Sequence, residues 1–122
     1  MKKILVFMCA LFLFACNQEN KNLRGEYKMV NAPQNVEITL NFDGTSFSGK
    51  SAVNRYFGSF NQDKNKIKFS VAGLTMMMGP QNLMEVEQDY IKNLDKVDTI
   101  SVKKNNIILS GKNGLVFEFE KY

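Results

Sequence analysis

Between residues 36 and 42 the chain alternates, with Val36, Ile38, Leu40 and Phe42 apolar and Glu37, Thr39 and Asn41 polar. A period of two places the first set on one face of a strand and the second set on the other. Asp43-Gly44 follows at once and Ser46-Phe47-Ser48 resumes the alternation, so 36–49 predicts a β-hairpin with a tight turn. Ile67 and Phe69, flanked by Lys66 and Lys68, predict another strand after a polar turn at 61–65. Near the end, apolar runs at 107–109 and 115–119 bracket Gly111-Lys112-Asn113-Gly114, a second hairpin signal. Weaker strand patterns lie at 25–31, 52–60 and 99–103.

One segment has a different period. After Gly79-Pro80, the residues Leu83, Val86, Tyr90, Leu94 and Val97, with Met84 and Ile91, recur at spacings of three and four. This predicts one amphipathic helix over 82–95, with Asn82 as its cap and Glu85 and Glu87 placing negative charge near the positive end of the helix dipole. The fold class is therefore mainly β (α+β). Seven to eight short strands form an antiparallel curled sheet or partly open barrel, with the helix covering one side or end.

Residues 1–15 belong to a different kind of segment. Lys2 and Lys3 precede an unbroken apolar run from position 4 to position 15. That run suits a signal-peptide core and is well short of the ~20 residues a bilayer-spanning helix needs. It ends in Leu13-Phe14-Ala15-Cys16, which resembles the lipobox of bacterial lipoproteins, where cleavage precedes the cysteine and its thiol is acylated. The alternative is an ordinary secretory signal that ends near a cysteine. On the lipobox reading, Cys16 is the lipidation site and the membrane is a partner through that anchor. Residues 16–22 then form a polar tether, which at ~3.5 Å per residue keeps the domain within roughly 20 Å of the bilayer. Asn17 follows the cysteine; Asp there often retains lipoproteins in the inner membrane, so the outer membrane is favoured.

Removing that segment changes the composition. The charge of +4 falls to +2 with the loss of Lys2 and Lys3, too weak a balance to argue for nucleic acid. Of the two cysteines, Cys9 is discarded and Cys16 is consumed by lipid, so no disulfide can form within the domain. The absence of His excludes Ser-His-Asp and Cys-His nucleophile systems and His-ligated zinc. No P-loop, dinucleotide fingerprint, metalloprotease or nucleophile-elbow motif occurs, and no cofactor is expected.

Several segments carry a family resemblance. Leu23-Arg24-Gly25-Glu26-Tyr27, Leu40-Asn41-Phe42-Asp43-Gly44, Phe47-Ser48-Gly49, Asn54-Arg55-Tyr56-Phe57-Gly58-Ser59-Phe60 and Thr75 with Met77 follow in order over 23–122. Together they resemble the META domain, the HslJ-like family of small bacterial envelope proteins. The resemblance implies a compact β-rich cup or partly open barrel with one helix, a link to envelope stress or antibiotic tolerance, and no reaction. Tyr27 stands where the family usually has Trp. Val53 and Gly79 stand where the family commonly has two cysteines, and the resemblance therefore implies that these two residues lie close together.

Two groups are candidates for binding. Arg55, with Asn54 and Tyr56 beside it, could hold a carboxylate or phosphate at a barrel rim. Alternatively, all three serve the fold, with Asn54 bonding a turn, Arg55 pairing with Glu85 or Glu87, and Tyr56 packing. The second group is Met76-Met77-Met78 with Met84. Thioethers bind Cu(I), but a strand would send Met77 to the face opposite its neighbours, so core filling or an apolar contact surface is the better use. The sequence thus predicts a non-enzymatic, lipid-anchored envelope protein acting as a binding or structural module, with binding to another envelope protein preferred. The competing prediction is a carrier for a small hydrophobic ligand in a helix–sheet cleft lined by Met77, Phe57 and Tyr90.

Overall fold

Eight strands and one helix account for most of the chain described by the computed structural model, which covers residues 23–122. In order they are β1 (Leu23–Met29), β2 (Thr39–Gly44), β3 (Ser46–Ser51), β4 (Asn54–Asp63), β5 (Lys66–Leu74), α1 (Gln81–Leu94), β6 (Val97–Val102), β7 (Asn106–Gly111) and β8 (Val116–Lys121). Each strand pairs antiparallel with the next and β8 returns to β1, so the sheet closes into a barrel. The expected signal segment, the tether and Cys16 lie outside the described residues. Among the described residues, no helix is long and apolar enough to cross a membrane.

Both hairpins form, but the first strand of the 36–49 hairpin starts only at Thr39, and Thr39, expected on the wet face, is buried. Phe42 faces Phe47 across β2 and β3, with Gly44 in the turn at φ 73°, a region open to glycine without steric penalty. The polar turn expected at 61–65 is tighter than its composition suggests. β4 continues to Asp63 opposite Lys66, leaving Lys64 and Asn65 between the strands. Closure between β5 and β6 is brief, with Lys66 opposite Thr99 and the Ile100 N–H donating to the Asn65 carbonyl. Between these two strands the chain leaves the sheet to build α1.

The barrel interior is filled. Leu40, Phe42, Phe47, Tyr56, Phe69, Leu109 and Phe119 are all buried there. Phe47 and Phe69 meet edge to face at 5.2 Å, as do Phe42 and Phe60, the arrangement that places a positive ring edge on a negative ring face. From α1, Leu94, Tyr90 and Glu87 are turned inward and buried, so the helix covers one end of the barrel.

Asn82 does not cap α1. Pro80 occupies that position, and its carbonyl accepts from the N–H groups of Leu83 and Met84. Proline presets φ at this entry, and no side-chain hydrogen bond caps the helix. No acidic residue lies in the first turn either.

The two rims differ. Leu23, where the chain enters β1, lies opposite Gly44 at the β2–β3 turn. The β3–β4 turn, where Ser51 faces Asn54, lies at the other end of β3 together with Leu74 and the segment leading into α1. A strand of six residues separates the rims by about 20 Å.

Candidate functional site

The helix-bearing rim is organised by one buried carboxylate. Glu87 is 1% exposed, and its Oε1 accepts from the Ser51 hydroxyl at 2.9 Å, the Val53 N–H at 3.2 Å and the Asn54 N–H at 2.6 Å. Its Oε2 accepts from the Asn54 amide nitrogen at 2.7 Å. The backbone permits this because Ala52 takes φ 80°, turning the next two N–H groups toward the same oxygen. Burial pushes the Glu87 carboxyl up, but the bonds from Asn54, Ser51 and Val53 outweigh it and hold the group below its ordinary value. The carboxylate is ionised, saturated and sealed from solvent, so it is an anchor and not a proton donor or base.

Asn54 transmits that anchor to a loop. Its Oδ1 accepts from the Met77 N–H at 2.6 Å and the Thr75 hydroxyl at 2.9 Å, while its Nδ2 also donates to the Met77 carbonyl at 3.2 Å. Both amide donors and both acceptor positions are thus used, which fixes the orientation of the amide. Thr75 adds a second link, since its N–H donates to the Arg55 carbonyl and its hydroxyl accepts from the Arg55 N–H. The loop backbone at 75–77 is held as firmly as a strand, although it is not one.

On that backbone sit three exposed methionines. Met76 and Met78 are each 89% exposed and Met77 is 51% exposed. Phe57, on the outer face of β4, is also exposed, and its ring lies over the bare Cα of Gly73. The expectation of core filling for Met76–Met78 is therefore wrong. The strand assumed for them does not form, because Asn54 occupies the hydrogen bonds that a neighbouring strand would supply.

A second polar pair lies below. The Tyr56 hydroxyl donates its single proton to the Thr39 carbonyl at 2.6 Å, so the Tyr90 hydroxyl, also at 2.6 Å, must be the donor to Tyr56. Burial raises both phenols above their ordinary value. The two rings pack edge to face at 5.4 Å. Both hydroxyls are buried and their hydrogen bonds serve the fold.

The sequence candidates therefore separate. Asn54 and Met77 are brought together, Tyr56 is packed inside the barrel, and Arg55 projects outward. Arg55 does not pair with Glu85 or Glu87, because Glu87 is buried and already saturated by Ser51, Val53 and Asn54. Met77 and Phe57 stand on the exterior while Tyr90 is buried, so these three side chains do not enclose a shared interior cavity. An open cleft of about 180 Å³ lies instead on the other side of α1, where Val86, Asp89 and Tyr90 face Met29, Ile38 and Phe117. Among the described residues, no group of three or more His, Cys, Asp or Glu side chains could hold a metal.

Glu87 is the residue that sequence reasoning missed. Its signal was its position: Leu83, Glu87, Tyr90 and Leu94 follow the four-three-four spacing of one helix stripe, so a carboxylate there has to enter the core.

Comparison with known proteins supports the same architecture. The solution structure of a protein from Burkholderia xenovorans is similar with a TM-score of 0.70 and 23% identity, covering 88% of this chain and 87% of that one. A crystal structure of a DUF4847 family protein from Bacteroides vulgatus is similar with a TM-score of 0.54 and 12% identity, covering 68% of this chain and 57% of that one. At these identities the likeness is one of fold. No curated protein matches. The META domain family model matches residues 19–122, most of the chain, and with the closed barrel this places the protein in the META domain family.

Proposed function

We propose that this protein is a non-enzymatic binding module of the bacterial envelope, anchored by lipid at Cys16, that engages a partner protein through the Met76–Met78 loop. The observation that carries this reading is the contrast between a filled barrel interior and three exposed thioether side chains on a backbone clamped by Asn54. Methionine side chains are flexible and polarizable, so they adapt to an apolar partner surface, and a fixed backbone limits the entropy lost on binding. Topology favours a protein over the bilayer as that partner. The chain enters the barrel at the rim of Leu23 and the loop lies at the opposite rim, so a short tether from a lipidated Cys16 leaves the loop facing away from the membrane.

The test is a photo-crosslinking amino acid at Met77, with Val102 on the tether-side rim as control, in cells that keep Cys16. A discrete crosslinked protein from Met77 and none from Val102 supports the reading. Equal labelling at both sites, or none, refutes it. Palmitate incorporation that disappears in Cys16→Ala tests the anchor separately. The cleft bounded by Val86, Tyr90, Phe117 and Met29 favours a second reading, a small hydrophobic ligand held beside α1. The link to envelope stress or antibiotic tolerance implied by the family resemblance fits either one.

A further inference from the structure

Among the described residues, the methionines are sharply divided by exposure. Met76 and Met78 stand 89% exposed and Met77 51%, whereas Met29 is 7% exposed within the core and Met84 is partly buried on α1. Thioether oxidation follows access of the oxidant to sulfur, and its product is a polar, chiral sulfoxide in place of an apolar side chain. Where such a residue is buried, oxidation disrupts packing. Here the loop is held by bonds from Asn54 and Thr75 to backbone atoms, and no sulfur takes part in them.

We propose that Met76–Met78 is an oxidation site, at which hydroperoxide oxidants convert the loop from apolar to polar while the barrel stays folded. In each step the sulfur lone pair attacks one oxygen of hydrogen peroxide, the O–O bond breaks, and the proton on the transferred oxygen passes to the departing hydroxide. The sulfur is oxidised by two electrons to the sulfoxide, and the peroxide is reduced and leaves as water. The consequence is a change confined to one surface: three apolar side chains become strong hydrogen-bond acceptors at a rim that has no charged side chain between Leu74 and Gln81. An apolar contact made by this loop would be weakened by the change. The proposal goes beyond the docking reading, because its readouts need no partner.

The experiment treats the full chain, purified in detergent, with hydrogen peroxide and maps oxygen additions by peptide mass spectrometry. Met76 and Met78 are expected to take up one oxygen each roughly tenfold or more faster than Met29, following their exposure. Far-ultraviolet circular dichroism is expected to stay unchanged, and the oxidised protein is expected to elute earlier from a hydrophobic-interaction column. The Met76→Leu/Met78→Leu variant, which alters only exposed positions, is expected to lose most of the rapid uptake and the elution shift. Oxidation of Met29 or Met84 at a rate equal to the loop, loss of the circular dichroism signal on oxidation, or an unshifted elution would each overturn the proposal.

Discussion

Val53 and Gly79 are in contact across the rim: a Cβ on Gly79 would stand 3.6 Å from the Cβ of Val53 and only 2.9 Å from its nearest methyl. The first distance lies within the Cβ separation of a disulfide, about 3.5–4.5 Å, and the second is tighter than side chains tolerate. The bare Cα of Gly79 therefore makes room for Val53, and valine fills the space that a cysteine pair would bridge. Val53→Cys/Gly79→Cys is expected to form a disulfide in an oxidising compartment and to raise unfolding stability by about 2–4 kcal/mol over its reduced form. Denaturant melts with and without reductant measure this directly. Gly79→Ala alone is expected to destabilise by about 1 kcal/mol or more through overpacking, and Val53→Ala in the same chain should relieve it.

Asn54 and Glu87 form the clamp beneath the methionine loop, and removing either leaves buried groups unpaired. Asn54→Ala is expected to destabilise by about 3 kcal/mol or more, because Glu87 Oε2 loses its donor and the loop loses three bonds. Glu87→Gln preserves shape but sets an amide against N–H donors, and should cost about 1.5–3 kcal/mol. Urea titrations give both values, and an Asn54→Ala protein as stable as wild type would remove the clamp from the account.

Acid should loosen the same rim. The Glu87 carboxyl is held below its ordinary value of 4.5 in the folded protein, so the unfolded chain takes up the proton first as pH falls. Its contribution is fully present above the unfolded value and is lost as pH drops from there through the folded value. Stability measured across that window should fall in the wild type and change less steeply in Glu87→Gln.

The two buried tyrosines should respond unequally to loss of a hydroxyl. Tyr56→Phe strands both the Thr39 carbonyl and the Tyr90 hydroxyl and is expected to cost about 1–3 kcal/mol. Tyr90→Phe leaves the bond from Tyr56 to Thr39 intact and should cost about 0.5–1.5 kcal/mol. Paired thermal melts test the order, and a larger loss for Tyr90→Phe would reverse the assigned direction of the bond between them.

Ala52 offers a change in the opposite direction. It adopts φ 80° with a Cβ that disfavours this region, so Ala52→Gly should stabilise by about 0.5–1 kcal/mol, the relief exceeding the added freedom of the unfolded chain. A denaturation midpoint shifted upward with an unchanged slope is the expected observation.

What could be read from the sequence was whatever depends on near neighbours. Alternation turned Ile38, Leu40 and Phe42 inward, although the strand begins only at Thr39, which is itself buried; Gly44 and Gly114 marked turns, and three-and-four spacing located α1 within one residue at each end. The family motif even brought Val53 and Gly79 together, although nothing local joins them. Closure of the barrel was decided at long range, by β8 returning to β1 and by the short pairing of Lys66 with Thr99. The same holds for the rim. Periodicity places Glu87 on the buried stripe of α1, but a buried carboxylate is tolerable only where donors converge, and those come from Ser51, Val53 and Asn54, more than thirty residues away. Once Asn54 is committed to Glu87 and Met77, the methionine loop cannot join the sheet, and its thioethers face solvent. The polarity pattern sets which faces are buried; only the folded barrel brings together the hydrogen-bond partners that let a charge be buried and leave three methionines exposed.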